Sequence, residues 1–301
     1  MIGAGSRSSE IVEVISKRCV KVNRVPLLKC FTVLNDLEKF KKISIEKDRK
    51  FYVYDVDSGI DGVLNRIFDL YEIFEGILVI TTLNDDFSYN TSIEICKKLK
   101  EQFDEYVTIL AILPRKIENT TLIRSRLRDL KRVSDIIILF SDTPDLAMKL
   151  SEILNLITLA GEIDLRKKVI GEIVIDSSDI FNALKFDGFS VVGYSKRNIP
   201  FFSRIFGGDS LKAIRTNRMV EMTSEALNNL SVEGNISDAK SALLLFAGNP
   251  NEIVTDGIFA SISLVERLNK DILIRYGDYP LTKSKLYLVL VLSGVRSIRF
   301  K

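Results

Sequence analysis

Histidine does not occur anywhere in the 301-residue sequence. Catalysis by Ser-His-Asp or Cys-His groups, zinc sites with histidine ligands, and the usual general base near neutral pH are therefore excluded. Cysteine is nearly as scarce, since Cys19, Cys30 and Cys96 are the only three and show no paired spacing. We expect reduced, buried thiols and a cytoplasmic protein.

Long apolar runs and a surplus of one charge are also missing. No stretch reaches the roughly 18 to 20 apolar residues that a membrane span requires, and the Gly- and Ser-rich N-terminus does not resemble a secretory signal. The 43 Lys and Arg residues nearly balance the 40 Asp and Glu residues, which leaves a net charge of +3. Local basic clusters, at 39–50 and 124–132, are typical of solvated surface. We therefore expect no nucleic-acid partner.

The overall composition is that of a soluble globular protein. Hydrophobic residues make up 46% of the chain and charged residues 28%, and this length is enough for one or two domains. Tryptophan is absent, whereas Ile, Lys and Glu are abundant. This pattern would suit an archaeal-like thermophilic source.

The first half of the chain alternates between buried apolar runs and amphipathic segments. Strands are predicted at 27–34, 51–56, 77–83, 107–113 and 135–140, helices at 63–74, 93–103 and 122–133, and a turn at 57–62, DSGIDG. Such alternation favours a doubly wound parallel sheet, which binds ligands at the carboxyl ends of its strands. The residues that follow these ends are Gly3, Asp57, Asn84 and Ser141.

The second half has a different pattern. Strands are predicted at 189–195, 242–247, 272–276 and 286–293, and helices at 211–230 and 254–268. Two strands follow one another closely after two helices. We expect a smaller α+β domain with a mixed sheet and helices on one face.

The N-terminal stretch MIGAGSRSS places Gly3 and Gly5 in a turn before an amphipathic helix. Backbone N–H groups at such a helix start form a site for phosphate, and glycine lets the anion approach closely. The motif reads G-x-G-x-x-S, which is a weak signal by itself. Either the first strand is very short or the true start lies upstream of Met1.

A loop with two acids joins the halves. It runs over 171–181, GEIVIDSSDIF, after an apolar helix predicted at 146–163 and before a helix at 179–184 with Ser177 or Ser178 near its N-cap. Asp176 and Asp179 are open to two interpretations. They are helix caps or dipole partners, or they are carboxylates for proton transfer in a chain without histidine.

The order of these elements resembles the FtsZ/tubulin superfamily over nearly the whole chain. MIGAGSRSS is similar to the family's first phosphate loop, IGVGGGGSN, and GEIVIDSSDI is similar to its GLINLDFADV. FDGFSVVGYS resembles the E-x-G-x-A-x-x-G-x-G strand, SALLLFAGNPNEIVTDGI resembles VLVNITGG-x-D-L-x-L-x-E-V, and LYLVLVLSGV resembles RVTVIATGI. The resemblance implies a nucleotide-binding domain at 1–142, a central helix with the acidic loop at 143–186, and a mixed C-terminal domain at 187–301.

In that family GTP binds to the first domain, and the acidic loop of the next subunit in the filament completes the site. The resemblance therefore implies a chain that binds GTP or GDP with Mg²⁺, assembles head to tail with copies of itself, and hydrolyses GTP weakly. Asp176 and Asp179 match the two catalytic acids. The positions matched to nucleotide contacts are Gly3, Gly5, Ser6, Gly59, Asn84, Ser88, Thr91 and, for guanine, Asn155.

The sequence ends at Lys301, directly after the last predicted strand. In FtsZ a disordered tail follows that strand and recruits membrane anchors for cell division. We therefore expect no direct membrane anchor, so that an FtsZ-type division ring would need another adaptor.

Two departures from the family pattern leave alternatives open. The stretch NDDFSYNTS stands where the family has GGGTGTG, so the glycine cradle for phosphate is lost, and Asp85 and Asp86 add negative charge that repels phosphate unless a metal intervenes. Val174 replaces the family's asparagine in the acidic loop. The chain is then either a divergent nucleotide-binding member or a pseudo-GTPase scaffold.

A Rossmann-type NAD enzyme is the third interpretation, based on the opening G-x-G. It needs an acid after the second strand, and Asp36 and Glu38 are the candidates. They follow Gly5 by about 30 residues, whereas the fingerprint has about 20.

Overall fold

The structure is a computed structural model that describes residues 1–70, 76–161, 173–199, 209–281 and 284–300. The chain divides into two compact units, the first with Met1–Glu152 and Phe300, the second with Ile153–Arg299. The ends of two predicted helices, at 71–74 and 162–163, lie outside the described residues, as do residues 171–172 of the acidic loop.

The first unit is built on a parallel sheet. Its strands are β1 (Ile2–Ala4), β4 (Phe31–Leu34), β5 (Lys50–Tyr52), β6 (Ile77–Thr82), β7 (Val107–Leu113) and β8 (Ile136–Ser141), and a small antiparallel hairpin of β2 (Lys21–Val22) and β3 (Val25–Pro26) precedes β4. The order in the sheet is β8-β7-β6-β1-β4-β5, and all neighbours run parallel. Every residue of β7 is buried, as expected of a strand covered on both faces.

Helices follow the strands of the first unit in alternation. They are α1 (Ser6–Arg18), α2 (Leu37–Lys42), α3 (Val56–Leu70), α4 (Asp86–Gln102), α5 (Thr120–Val133) and α6 (Leu146–Gly161), the last of which continues into the second unit, and Lys47–Arg49 forms a short 3-10 turn. Strand β1 has three residues. Within the described ranges, no helix is both long and apolar enough to cross a membrane.

The turn predicted at 57–62 is wrong, because DSGIDG lies inside α3. One face of this helix buries Ile60, Val63, Leu64 and Ile67. Burying one large aliphatic side chain stabilises by about 1.5 to 3 kcal/mol. A glycine inside a helix costs about 1 kcal/mol, so the apolar face outweighs the two glycines.

The second unit contains a mixed sheet. Its elements are α7 (Ser177–Leu184), β9 (Phe189–Asn198), α8 (Asp209–Asn228), β10 (Ser241–Gly248), α9 (Thr255–Glu266), β11 (Leu273–Pro280) and β12 (Lys285–Val295), with short 3-10 turns at Ile236–Asp238 and Pro250–Glu252. The order is β11-β10-β12-β9, in which β10 and β11 are parallel and the other pairs antiparallel. Helix α7 packs on β10, β11 and β12, whereas α8 packs on β9 and α9.

These two units confirm the predicted fold class, a doubly wound parallel half, a central helix and a smaller α+β half. The three cysteines are buried and unbridged, as predicted. Burial raises the pKa of the Cys30 thiol to about 11, so this thiol stays protonated at neutral pH.

Candidate functional site

Helix α1 starts directly after β1, at the carboxyl edge of the parallel sheet. Gly5 separates the two, with φ of 84°, a left-handed conformation that glycine adopts without strain. The first N–H groups of a helix have no acceptor inside it, and Gly5 has no side chain to accept from them. The start of α1 therefore offers backbone donors and the positive end of a helix dipole.

Helix α4 starts beside Gly5. A Cβ placed on Gly5 would lie 2.8 Å from Ser88 Cβ and 3.0 Å from Asp85 Oδ2. Asp85 is the N-cap of α4, because its Oδ1 accepts the Ser88 N–H at 3.1 Å. Gly5, Asp85 and Ser88 thus form the α1/α4 junction, where two helix N-termini meet at one carboxylate.

Ser88 and Thr91, two predicted phosphate donors, are fully buried. Ser88 Oγ donates to the Ala4 carbonyl at 2.6 Å and accepts the Thr82 N–H at 2.9 Å, so this hydroxyl joins α4 to β1 and β6. Thr91 Oγ1 has no hydrogen-bond partner among the described residues. Asn84, the third predicted donor in this stretch, is exposed.

Gly3 and Gly59 have packing roles. A Cβ on Gly3 would lie 2.6 Å from Val12 Cγ2, and one on Gly59 would lie 2.6 Å from Val53 Cγ1. Gly3 therefore lets α1 lie close to β1, and Gly59 lets the first turn of α3 lie close to Val53. Ser6, the first residue of α1, is half-buried.

Arg7, which sequence reasoning did not single out, connects α1 to the end of β8. Its Nη2 donates to Asp142 Oδ1 at 2.6 Å and its Nε to the same oxygen at 3.1 Å. Hydrogen bonding to Asp142 raises the pKa of Arg7 above its usual value. A permanent cation therefore lies on the first turn of the helix that starts at Gly5.

Arg126 stabilises the stretch NDDFSYNTS, which stands where the family has its glycine loop. It is buried, its Nη1 donates to the Leu83 carbonyl at 2.8 Å, and it forms an ion pair with Asp86. The guanidinium lies 4.7 Å from the centre of the Tyr89 ring. Arg126 lies on the buried face of α5, together with Ile123, Leu127 and Leu130. An arginine at a position where the helical periodicity calls for an apolar residue was therefore the sequence signal for this contact.

Tyr89 makes a further contact between this stretch and α5. Its hydroxyl donates to Asp129 Oδ2 at 3.1 Å, and burial together with this hydrogen bond raises the pKa of Tyr89 to about 12. The phenol therefore stays neutral and keeps donating to Asp129 over the physiological pH range.

In the second unit, the acidic loop leads into α7. Asp176 is the N-cap of this helix and accepts the Asp179 N–H at 2.8 Å, as the helix-cap interpretation of this acid predicted. Ser177 and Ser178 lie near the cap, also as predicted, because they are the first two residues of the helix. Asp179 lies in the first turn, with 46% of its side chain exposed, and its Oδ1 is 3.5 Å from Arg275 Nε. Val174 is exposed.

Strand β11 holds the start of this loop. Asp278 Oδ1 accepts the Ile173 N–H at 2.8 Å, and the Asp278 N–H donates to the Ile173 carbonyl at 3.0 Å. A Cβ on Gly277 would lie 2.5 Å from Ile175 Cγ1. Sequence reasoning missed both β11 residues, because nothing local links them to a loop about a hundred positions earlier.

Asn155 lies half-buried on the part of α6 that belongs to the second unit. Its backbone carbonyl accepts a hydrogen bond from Thr158 Oγ1 at 3.3 Å. Its role in guanine recognition stays a prediction. Among the described residues, no group of three or more acids and cysteines is arranged to hold a metal ion.

Comparison with known proteins gives consistent results. Residues 144–300 match the family model "Tubulin-like CetZ, C-terminal domain", and this segment is slightly more than half of the chain. The tubulin-like protein CetZ1 of Haloferax volcanii is 33% identical over 154 residues, which cover 46% of this chain and only 39% of that relative's length.

Solved structures of relatives share the fold. The GDP-bound CetZ1 monomer of H. volcanii superposes with a TM-score of 0.79 at 21% identity, covering 98% of this chain and 93% of that one. The GTPγS-bound CetZ2 protofilament from the same organism has a TM-score of 0.75 at 19% identity, with the same coverages.

Proposed function

Because the chain belongs to the CetZ family of tubulin-like proteins, we propose that it binds a guanine nucleotide at the α1/α4 junction and assembles head to tail. In this proposal the nucleotide is GTP or GDP, and GTP is hydrolysed slowly when a neighbouring copy presents Asp176 and Asp179.

The meeting of two helix N-termini beside Gly5 is the observation that carries this proposal. Both helix dipoles place positive potential there, at the carboxyl edge of a parallel sheet. Since the Ser88 hydroxyl is already bonded to Ala4 and Thr82, the donors available to phosphate are backbone N–H groups at the start of α1. The solved structures of two relatives support nucleotide binding and assembly, because one is bound to GDP and the other to GTPγS in a protofilament.

Hydrolysis transfers the γ-phosphoryl group to water, so the protein must orient the water and accept its proton. In a chain without histidine, the carboxylate of Asp179 is the group we assign to this task. Asp176 fixes the start of α7 through its cap hydrogen bond. A head-to-tail contact joins two different surfaces and therefore propagates into an open filament.

Magnesium fits this arrangement at one group, the carboxylate of Asp85. Mg²⁺ is usually bound by one or two carboxylates together with substrate phosphates and water. The ion would neutralise charge on the phosphates, and Asp85 would hold it.

The alternative function, a pseudo-GTPase scaffold, is favoured by a specific observation. The Asp85 carboxylate already lies in the α1/α4 junction, where it caps the start of α4 and places negative charge next to the start of α1, which would repel a phosphate. A scaffold of this kind would assemble or bind partners without nucleotide.

Protein purified without added ligand separates the two functions. The nucleotide-binding proposal predicts bound GDP or GTP in the denatured extract, and sedimentation that increases when GTP and Mg²⁺ are added. Protein that contains no nucleotide and sediments equally with and without GTP supports the scaffold function.

Replacing Asp85 with asparagine tests the junction directly. Asparagine caps helices as well as aspartate does, so α4 should keep its stability while the negative charge disappears. We expect GTP to bind up to about 1,000-fold more tightly in the absence of Mg²⁺, because two unit charges 4 Å apart interact by about 4 kcal/mol at an effective dielectric constant of 20, and every 1.4 kcal/mol is about a tenfold change in affinity. Isothermal titration measures the change.

The matched control is Asp86→Asn, since the Asp86 carboxylate is 82% exposed and already paired with Arg126. This variant should bind GTP nearly as the wild type does. If neither wild type nor Asp85→Asn binds GTP, the nucleotide proposal fails.

A further inference from the structure

Three residues of β11 contact the acidic loop and the first turn of α7. Asp278 exchanges two hydrogen bonds with Ile173, at 2.8 and 3.0 Å. The side chain of Asp278 is buried, and a buried carboxylate is stable only when it is hydrogen-bonded or paired. The Asp278 carboxylate therefore fixes the backbone of the acidic loop at Ile173.

Gly277 allows the loop to lie against the strand. A Cβ at this position would be 2.6 Å from the Ile173 carbonyl as well as 2.5 Å from Ile175 Cγ1. Both distances are shorter than van der Waals contact, so the loop can take this path only over a glycine.

Arg275 reaches one of the two acids. Residues two apart on a strand lie on the same face, so Arg275 and Gly277 share the face on which the loop lies. Arg275 Nε is 3.5 Å from Asp179 Oδ1, and the two side chains are 33% and 46% exposed. Asp179 is thus within reach of solvent and is paired with a cation on β11.

We propose that β11 positions the acidic loop for catalysis. Asp278 and Gly277 hold its backbone, and Arg275 orients the carboxylate of Asp179 toward the water that attacks the nucleotide of a neighbouring copy. Arg275 is then a positioning residue, since it acts through Asp179. Its charge also reduces the repulsion between that carboxylate and the phosphates. This inference rests on the proposed function.

The main test replaces Arg275 in the full chain. Arg275→Ala should lower GTP turnover on the order of 10- to 100-fold, because a displacement of about 1 Å in a catalytic group has effects of that size. The affinity for GTP should stay unchanged, and Arg275→Lys should recover part of the turnover. Arg296→Ala is the control, because Arg296 forms an exposed pair with Asp187 at 3.7 Å in the same unit.

Each outcome decides a different point. Turnover that requires Asp179 but is equal in wild type and Arg275→Ala overturns this inference and leaves the proposed function standing. Absence of turnover in the wild type overturns the proposed hydrolysis, and the role of Arg275 with it. Melting curves of both Arg275 variants identify a loss of turnover that comes from unfolding, in which case Arg275→Lys decides.

A second measurement needs no turnover. Asp278→Ala removes the acceptor for the Ile173 N–H, so hydrogen exchange in residues 173–176 should become at least about tenfold faster. Asp271→Ala, an exposed acid two residues before Leu273, should leave that exchange unchanged. If the amides of residues 173–176 exchange at the same rate in Asp278→Ala and in the wild type, the proposal that β11 holds the acidic loop in place is wrong.

Discussion

Asp179→Ala is expected to lower GTP turnover on the order of 10²- to 10⁴-fold, the usual contribution of a positioned general base or acid. The substitution removes the carboxylate but keeps the Asp179 N–H, which donates to Asp176 at 2.8 Å. Helix α7 should therefore start at the same residue. Phosphate release under assembly conditions measures turnover, and titration with GTP should give wild-type affinity.

Two further variants make this result specific. Asp187→Ala removes an exposed acid from the same unit and should leave turnover unchanged. Asp176→Asn keeps a good N-cap but loses the charge, so it separates the two interpretations of that residue. If Asp179→Ala hydrolyses GTP like the wild type, Asp179 has no catalytic role and acts only as a dipole partner in the first turn of α7.

The second large effect concerns stability, and it involves Glu252. This residue ends the 3-10 turn between β10 and α9, and it is 1% exposed. It forms an ion pair with Arg218, and its Oε1 lies 3.5 Å from Arg215 Nε, both on α8. Glu252→Ala leaves two largely buried guanidinium groups without this carboxylate, so we expect a loss of about 3 to 5 kcal/mol in the free energy of unfolding.

Chemical denaturation followed by circular dichroism suits this measurement, because the chain has no tryptophan. The matched control is Asp256→Ala, which removes an exposed partner of Lys212 at 2.7 Å and should cost about 0 to 1 kcal/mol. Glu252→Gln keeps one acceptor and should fall between the two. A loss below about 1 kcal/mol in Glu252→Ala would show that the arginines find other partners or water.

The sequence predicted the elements that apolar runs mark clearly. Strands at 107–113 and 242–247 agree closely with β7 and β10, because a strand buried on both faces must be apolar along its length. Glycine misled the prediction at 57–62. Local turn propensity was counted there, whereas the apolar face of α3 decided the structure.

The candidate site was predictable in outline only. The location of the site at the carboxyl edge of the sheet followed from the order of strands and helices. The sequence also showed that the charge of Asp85 would repel a phosphate there. The contact of Asp85 with Gly5 was not foreseen, nor was the burial of Ser88. The hydrogen bond between Ser88 and Ala4 joins residues 84 positions apart, and local patterns contain no information about such pairs.

The amino-acid sequence alone determined which chemistry is excluded, where the strands and helices alternate, and which two acids lie in the joining loop, because residue type and periodicity express these properties directly. Tertiary structure decided what those groups do. It placed Asp85 between two helix starts, Arg126 under the stretch that replaces the glycine loop, and Asp278 against Ile173, which lies 105 positions away. Each of these contacts depends on the close approach of segments that are distant along the chain, and only the packing of the folded units brings them together.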